Sequence, residues 1–476
     1  MSLKTKIAHN TIIHLVGKVI GLLLGLLSIV ILTRYLGQTG FGYYSTIVAY
    51  LLFWGILVDF GLTLTNVQMI SDETFEFNKT VNNIMSLRVI LSLAFLIFAP
   101  ILIWVFPYPV EIKIGVSLMV FAYVGTTIVQ TLTGVFQKKL QMWKVTVAEV
   151  VGKVAMISML GLFAYQGRSL YWLFGAISLE GVFAVLVLFL FSRQLVKWKF
   201  EIDLTIWKEI FKRTWPIALS ISFNLIYLKM DTIILSLTRT QAEVGIYGAA
   251  YRIVDVLTML PAVFMGVVLP VITVYFVQKK FKELKTILQM SFDALMTFAL
   301  PIFAGTMLVG TQLMVLIGGA EFSESGKILK ILVIASLVIF ATSLFGYAVV
   351  GVRKQKSMMF GYLTVAIITF IGYIIFIPRF GYWGAAWMTV FSEVLILIWT
   401  SIVVYRTVHF LPKLNTLLRI LPATLVMSGV VYLIRDWNVL LVIVIAGIVY
   451  FPVLVAFGGL KLETVRSLIR LKSEDE

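Results

Sequence analysis

Twelve ionisable side chains stand inside stretches that are otherwise apolar for about 20 residues: Lys18, Asp59, Arg88, Glu149, Lys153, Glu180, Lys229, Asp231, Arg252, Asp255, Asp293 and Glu393. A charge at the centre of a membrane helix costs about 2.5–3.5 kcal/mol on insertion scales, so such residues carry a task or a partner. Ammonium and guanidinium groups in a wet cavity can replace the hydration of an anion such as a phosphate. Carboxylates can hold a proton or a sodium ion there, or compete with the anion for the same cations.

Spacing sorts these residues into faces. Ser220, Asn224, Tyr227 and Asp231 recur at i, i+4, i+7 and i+11, one side of a helix. Tyr247, Tyr251 and Asp255 repeat the pattern, with Arg252 at the edge. In "NLIYLKMDTIIL" (224–235), Lys229 and Asp231 lie about 200° apart around the helix, so each needs a partner from elsewhere or water. His14 and Lys18 are one turn apart beside Gly17, Gly21 and Gly25, a double GxxxG ridge read as helix packing.

A purely structural reading competes with each of these. Arg252–Asp255 at i, i+3 and Glu149–Lys153 at i, i+4 have the spacing to neutralise themselves within one helix. The candidate cationic set is Lys18, Lys229 and Arg252. The candidate polar or ion-coupling set is Asp59, Asn224, Tyr227, Asp231, Tyr251 and Asp255. The three histidines, His9, His14 and His409, are scattered and there is no cysteine, so neither metal-ligand spacing nor a disulfide is present in the sequence.

The elements that must position these groups are membrane helices. The chain of 476 residues is 60% hydrophobic and 13% charged, with a mean hydropathy of +1.01, well beyond a soluble domain. Fourteen spans are predicted, at about 11–35, 43–66, 84–106, 113–136, 145–165, 170–192, 215–237, 244–276, 291–317, 327–351, 358–377, 382–405, 417–434 and 438–459. The runs do not alternate, which excludes strands and leaves helices. The first run, Ile12 to Leu32, is too long for a cleavable signal and lacks a small-residue cleavage site.

Most of the 39 Lys and Arg fall in alternate short loops. Placed inside, these loops put both termini in the cytoplasm, so the net charge of +16 reads as a topology signal with affinity for anionic lipid, not for nucleic acid. The longest inner loop, 193–214 ("RQLVKWKFEIDLTIWKEIFKRT"), mixes basic and aromatic residues and reads as an amphipathic interfacial helix.

The chain repeats itself. Leu32, Thr33, Arg34 and Gly40 match Leu237, Thr238, Arg239 and Gly245; Arg168, Tyr171 and Trp172 match Arg379, Tyr382 and Trp383. Corresponding spans run in the same direction, so the repeat is parallel about an axis along the membrane normal, with a binding site expected between the halves. The expected organisation is a six-helix bundle at 1–192, a linker at 193–214, a second six-helix bundle at 215–406, two appended helices at 407–460 and a cytoplasmic tail at 461–476.

"LTRYLGQTGFGYYS", "DFGL" (59–62), "KMDTIILSLTRTQAEVGIYGAAYRI", "EFSESGKILKIL" (321–332) and "RFGYWGAAWMTVFSE" (379–393) resemble the oligosaccharide flippases, the Wzx-like polysaccharide biosynthesis proteins of the multidrug/oligosaccharidyl-lipid/polysaccharide exporter superfamily. The resemblance covers nearly the whole chain and implies an all-α, MATE-like V of two bundles opening alternately to each side. It also implies movement of a polyprenyl-pyrophosphate-linked sugar from the cytoplasmic to the outer leaflet of a bacterial or archaeal cytoplasmic membrane, with a polymerase or glycosyltransferases as partners.

A lipid II flippase and an ion-coupled multidrug or cation antiporter are the alternatives within the superfamily. No cofactor is implied beyond a coupling H+ or Na+. "LVGKVIG" and "VVGKVAM" lack the rest of a phosphate-binding loop, and the outer loops are too short for a catalytic domain. A transporter, not an enzyme, is expected.

Overall fold

The computed structural model of the chain describes residues 3–72 and 74–459. The tail expected at 461–476 lies outside the described residues, as do the side chains of His9, His14 and Ser220. The described residues form helices joined by short turns and contain no strand: α1 Leu3–Asp59, α2 Leu62–Ser71, α3 Phe77–Leu91, α4 Ile97–Leu102, α5 Val110–Lys138, α6 Met142–Tyr165, α7 Leu170–Ser192, α8 Leu204–Thr238, α9 Gln241–Val277, α10 Phe281–Gly318, α11 Ser323–Gly351, α12 Gln355–Val408, α13 Leu417–Ile434 and α14 Val439–Ala456.

Among the described residues, eleven segments are long and apolar enough to cross a membrane. Two of them are double: α1 breaks at Gly37 (φ 63°, ψ −171°) and α12 at Gly381 (φ 58°, ψ −138°). A glycine enters that left-handed region without the Cβ penalty. Fourteen crossings require that both breaks be turns between spans and that α8 cross as well.

The chain divides into two compact units, residues 1–248 and 249–476. In the first, α6 packs between α1 and α7, α5 packs on α7, and α8 lies along α1. In the second, α11 packs against both α10 and α12, and α13 and α14 pair with each other and against α10. There the Tyr450 hydroxyl donates to the Thr297 carbonyl at 2.7 Å. The contact division falls inside α9, whereas the sequence places the bundle boundary at the linker 193–214.

That linker departs from its expected form. Only its second half is helical; α7 ends at Ser192 and α8 starts at Leu204 and runs on through the spanning stretch. Between them, residues 196–203 lie extended along α3. Alternate amides donate to α3 side chains: Lys197 N–H to Asn78 Oδ1 (3.3 Å), Lys199 N–H to Asn82 Oδ1 (3.3 Å), Glu201 N–H to Ser86 Oγ (2.9 Å) and Asp203 N–H to Asn83 Oδ1 (2.7 Å). The strap is extended because α3 supplies the acceptors a neighbouring strand would offer, so its backbone needs no helix to be satisfied. Asp203 then caps α8 through the amides of Thr205 and Ile206 and pairs with Lys79 at 2.6 Å.

The Lys79 ammonium, with those two amides, holds the Asp203 carboxyl below the usual carboxylate range. A depressed carboxyl stabilises the fold above the unfolded-state pKa, about 3.9, and that contribution is lost as pH falls through the lower folded value. Amide-exchange protection at 197–206, corrected for intrinsic rates, is therefore expected to hold from neutral pH to about 4 and to fall below it. Asp203→Ala is expected to lower it several-fold at neutral pH and to remove most of the fall below about pH 4. Protection untouched by Asp203→Ala would remove the carboxyl from the clamp.

The repeat is visible as a symmetric contact within the first unit. A Cβ built on Gly42 would lie 1.8 Å from the Gln241 carbonyl oxygen, and one on Gly245 would lie 1.9 Å from that of Gln38. Gly248 faces Ser45 in the same register. This pairs Gly42, not Gly40, with Gly245 and corrects the sequence alignment at that end. The physical reason is the connector: Tyr35, Leu36 and Gly37 lead from Arg34 to Gln38, while Thr240 alone leads from Arg239 to Gln241.

Candidate functional site

Close approach of α1, α6 and α7 is set by glycines. A Cβ on Gly17 would lie 2.1 Å from Thr146, and one on Gly152 would lie 2.4 Å from the Glu180 carbonyl oxygen. With backbones this near, charges on three helices meet. Lys18 of α1 reaches both oxygens of Glu149 on α6 at 3.4 Å, and Lys153 of α6 reaches Glu180 on α7 at 3.0 Å. The Glu149–Lys153 pair expected within α6 does not form, because α6 lies between two helices that each offer the opposite charge.

Both pairs are only part-buried, with side-chain exposures of 38% and 30% for Lys18 and Glu149 and 23% and 36% for Lys153 and Glu180. Charged groups exposed within a membrane helix face water and not lipid. The ridge Gly17, Gly21, Gly25 divides in function. Gly17 packs against Thr146, a Cβ on Gly21 would meet only the Lys153 stem at 3.6 Å, and one on Gly25 would meet nothing within 4 Å. The packing expected of the whole ridge holds at Gly17; the Lys153 stem rests against Gly21, and open space begins at Gly25.

The other candidates are placed differently. Asp59 sits at a sharp break where Phe60 (φ 41°) and Gly61 (φ 77°) separate α1 from α2. It accepts from the Thr63 amide at 3.2 Å and from the Thr63 hydroxyl. It also accepts from Arg88 at 2.8 Å. Arg88 is fully buried and also donates to Gln130 Oε1 (2.7 Å) and the Thr127 carbonyl (2.8 Å). This cluster holds a corner.

Asp231 is buried to 0% exposure. It accepts from the Tyr247 hydroxyl and from the amide and hydroxyl of Thr232. The stripe on α8 is thus partly internal, with Asn224 Nδ2 donating to Tyr227 OH at 3.1 Å and Tyr227 itself buried. Lys229, on the opposite side of α8, is half-buried.

In the second unit, Arg252 and Asp255 meet at 3.5 Å along α9, as their i, i+3 spacing predicts, and Tyr251 is buried. Of the cationic set, the structure brings Lys18 into an interhelical ion pair. Lys153, Glu149 and Glu180 complete that group although sequence reasoning left them outside the candidate set. Their signal was present as mid-span charges on neighbouring spans; their meeting depends on helix rotation that the sequence does not state.

Long apolar helices with ion pairs set among them define a polytopic membrane protein. The comparisons agree. The model of the family "Polysaccharide biosynthesis protein" matches residues 7–276. The probable low-salt glycan biosynthesis flippase Agl15 of Haloferax volcanii is 21% identical over 166 residues, 35% of this chain and 35% of that protein, so the match spans about a third of the curated relative's length.

Among solved structures, lipid II flippase MurJ in an inward closed conformation aligns with TM-score 0.75 at 16% identity, covering 96% of this chain and 100% of that one. An inward-facing multidrug resistance MATE family transporter aligns with TM-score 0.67 at 14% identity, covering 83% and 98%. These likenesses carry the fold. The chain belongs to the polysaccharide biosynthesis protein family.

Proposed function

We propose that the protein carries a polyprenyl-diphosphate-linked oligosaccharide from the cytoplasmic to the outer leaflet of the cytoplasmic membrane by alternating access, with both termini inside. Lys18 and Lys153 receive the diphosphate, and Lys229 and Arg252 are further cationic contacts along the path. The observation that carries this reading is the pair of part-exposed ion pairs, Lys18–Glu149 and Lys153–Glu180, inside the long apolar helices of a polysaccharide biosynthesis protein. An anionic headgroup with a polar glycan cannot cross hydrocarbon unaided, and part-exposed ammonium groups beside open space supply what its hydration shell would lose. In the orientation read from the loop charges, this group sits in the inner half of the membrane, where a cytoplasmic-leaflet substrate enters. A proton or sodium ion drives the cycle in this scheme, and the partners are the enzymes that make and polymerise the lipid-linked sugar.

The test is leaflet accessibility in proteoliposomes, with a polyprenyl-diphosphate sugar beside a lipophilic cationic dye and with imposed H+ or Na+ gradients. Wild type is expected to move the sugar, Lys18→Gln/Lys153→Gln to reduce the rate by tenfold or more (on the order of 10–100-fold for two lost charge-assisted contacts), and Lys229→Ala to reduce it less. Dye movement without sugar movement would make the protein a cation exporter and sink the proposal.

A further inference from the structure

We propose that Glu149 and Glu180 are resident stand-ins for the substrate's phosphates, so that the four-charge group is an anion-exchange site. In the empty carrier the glutamates neutralise the lysines; in the loaded carrier the diphosphate displaces them. The substrate's identity rests on the flippase reading above; the exchange itself does not.

The geometry supports exchange over permanent pairing. Glu149 meets Lys18 with both oxygens at 3.4 Å, longer than the roughly 2.7–2.9 Å of a strong ammonium–carboxylate bond. Glu180 is 36% exposed on its side chain and holds Lys153 through a single contact of 3.0 Å. By contrast, Arg88 is wholly buried and tied to Asp59, Gln130 and Thr127. One fixed and two loose ionic groups in a single unit mark different tasks.

The charges alternate across three helices as Lys18, Glu149, Lys153, Glu180, with Glu149 and Lys153 one turn apart on α6. The Lys153 stem lies against Gly21, one turn from Lys18 on α1. Both lysine stems therefore border one stretch of α1. A diphosphate, with two joined phosphoryl groups, offers one anionic centre to each of the two ammonium groups. Open space lies at Gly25, two turns along α1 from Lys18.

The carboxylates also answer a need of the return step. Two lysines left without counter-charge after substrate release would be uncompensated cations in a membrane protein, a costly state. With the glutamates back on the lysines, the empty carrier crosses its transition neutral. Substrate and glutamate thus take turns, and the loaded and empty forms carry matched charge at this site.

The experiment has two arms. The first measures binding of farnesyl diphosphate to the purified full chain in detergent, with farnesyl monophosphate and inorganic phosphate as comparison probes. Glu149→Gln/Glu180→Gln is expected to bind the diphosphate about tenfold tighter, because the competing anions are gone. Lys18→Gln/Lys153→Gln is expected to weaken it by tenfold or more (roughly 10–100-fold), and Lys153→Arg to retain it and to report that the fold is intact.

The second arm compares single-turnover with multiple-turnover movement of lipid-linked sugar in proteoliposomes. The double glutamine variant is expected to slow more in later turnovers than in the first, because release and return both lack the competing carboxylates. Glutamine variants that bind the diphosphate no tighter than wild type would overturn the exchange, as would lysine variants that bind it equally well. If the binding arm succeeds and no lipid-linked sugar moves in wild type, the flippase reading fails and the anion-exchange site stands.

Discussion

Arg88→Leu is expected to destabilise the protein by about 3–5 kcal/mol, the cost of breaking a buried ion pair from one side. Arg88 is 0% exposed and Asp59 only 16%, so the guanidinium's removal strands a carboxylate among α1, α2 and α5 as well as two acceptors, Gln130 Oε1 and the Thr127 carbonyl. Asp59 is also tied to Thr63 at the Phe60–Gly61 corner, so the corner loosens with it. Asp59→Asn/Arg88→Leu is expected to be less destabilised than Arg88→Leu alone, since it removes the uncompensated charge. Reversible unfolding in mixed detergent checks both, and a single variant within 1 kcal/mol of wild type would show that the cluster is not what holds this corner.

Gly245→Ala is expected to abolish the arrangement seen here between the second limb of α1 and the start of α9. Its new Cβ would lie 1.9 Å from a backbone oxygen, and Gly42→Ala would place one at 1.8 Å. Backbone cannot rotate out of the way as a side chain can, so the helices must part. Overpacking of this kind costs about 1–3 kcal/mol, enough to shift a two-state population by roughly tenfold. The chain has no cysteine, so Thr46→Cys/Gln241→Cys, at positions whose native side chains meet at 2.8 Å, gives a clean crosslinking pair across the contact. Crosslinking is expected to be efficient with both glycines and to fall about tenfold with either alanine, with the double alanine little worse than a single, because one separation relieves both clashes. Unchanged crosslinking in Gly245→Ala would mean the contact tolerates a methyl group and is no stop.

Much of this was legible in the sequence, for identifiable reasons. Apolar runs fix where helices lie, and Gly37 and Gly381 mark their breaks because few other residues take those angles. Arg252 and Asp255 pair as read because both lie on one helix. Wherever a partner comes from another helix, the reading stops short. Glu149 answers to Lys18 and not to Lys153, and Asp231 is closed off by Tyr247 where a water-facing role was expected of its stripe. The strap at 196–203 was read as helix because its basic and aromatic composition suits an interface; the asparagines of α3 that extend it are far away in sequence. The family was legible from its turns, while the four-charge group was not, since helix rotation decides which mid-membrane charges meet.

The strap has a consequence for how the protein is made. Its amides bind side chains 115 to 120 residues upstream, so at about 5–20 residues per second α3 waits roughly 6–24 s for its partner to leave the ribosome. When the strap docks, the first bundle is fastened by its own exit segment and α8 is capped at Asp203 before most of the second half has been synthesised. A nascent chain stalled after residue 203 should therefore already protect Asn78–Ser86, and one stalled before 196 should not. Translation itself sets the order in which the two halves of the chain become committed.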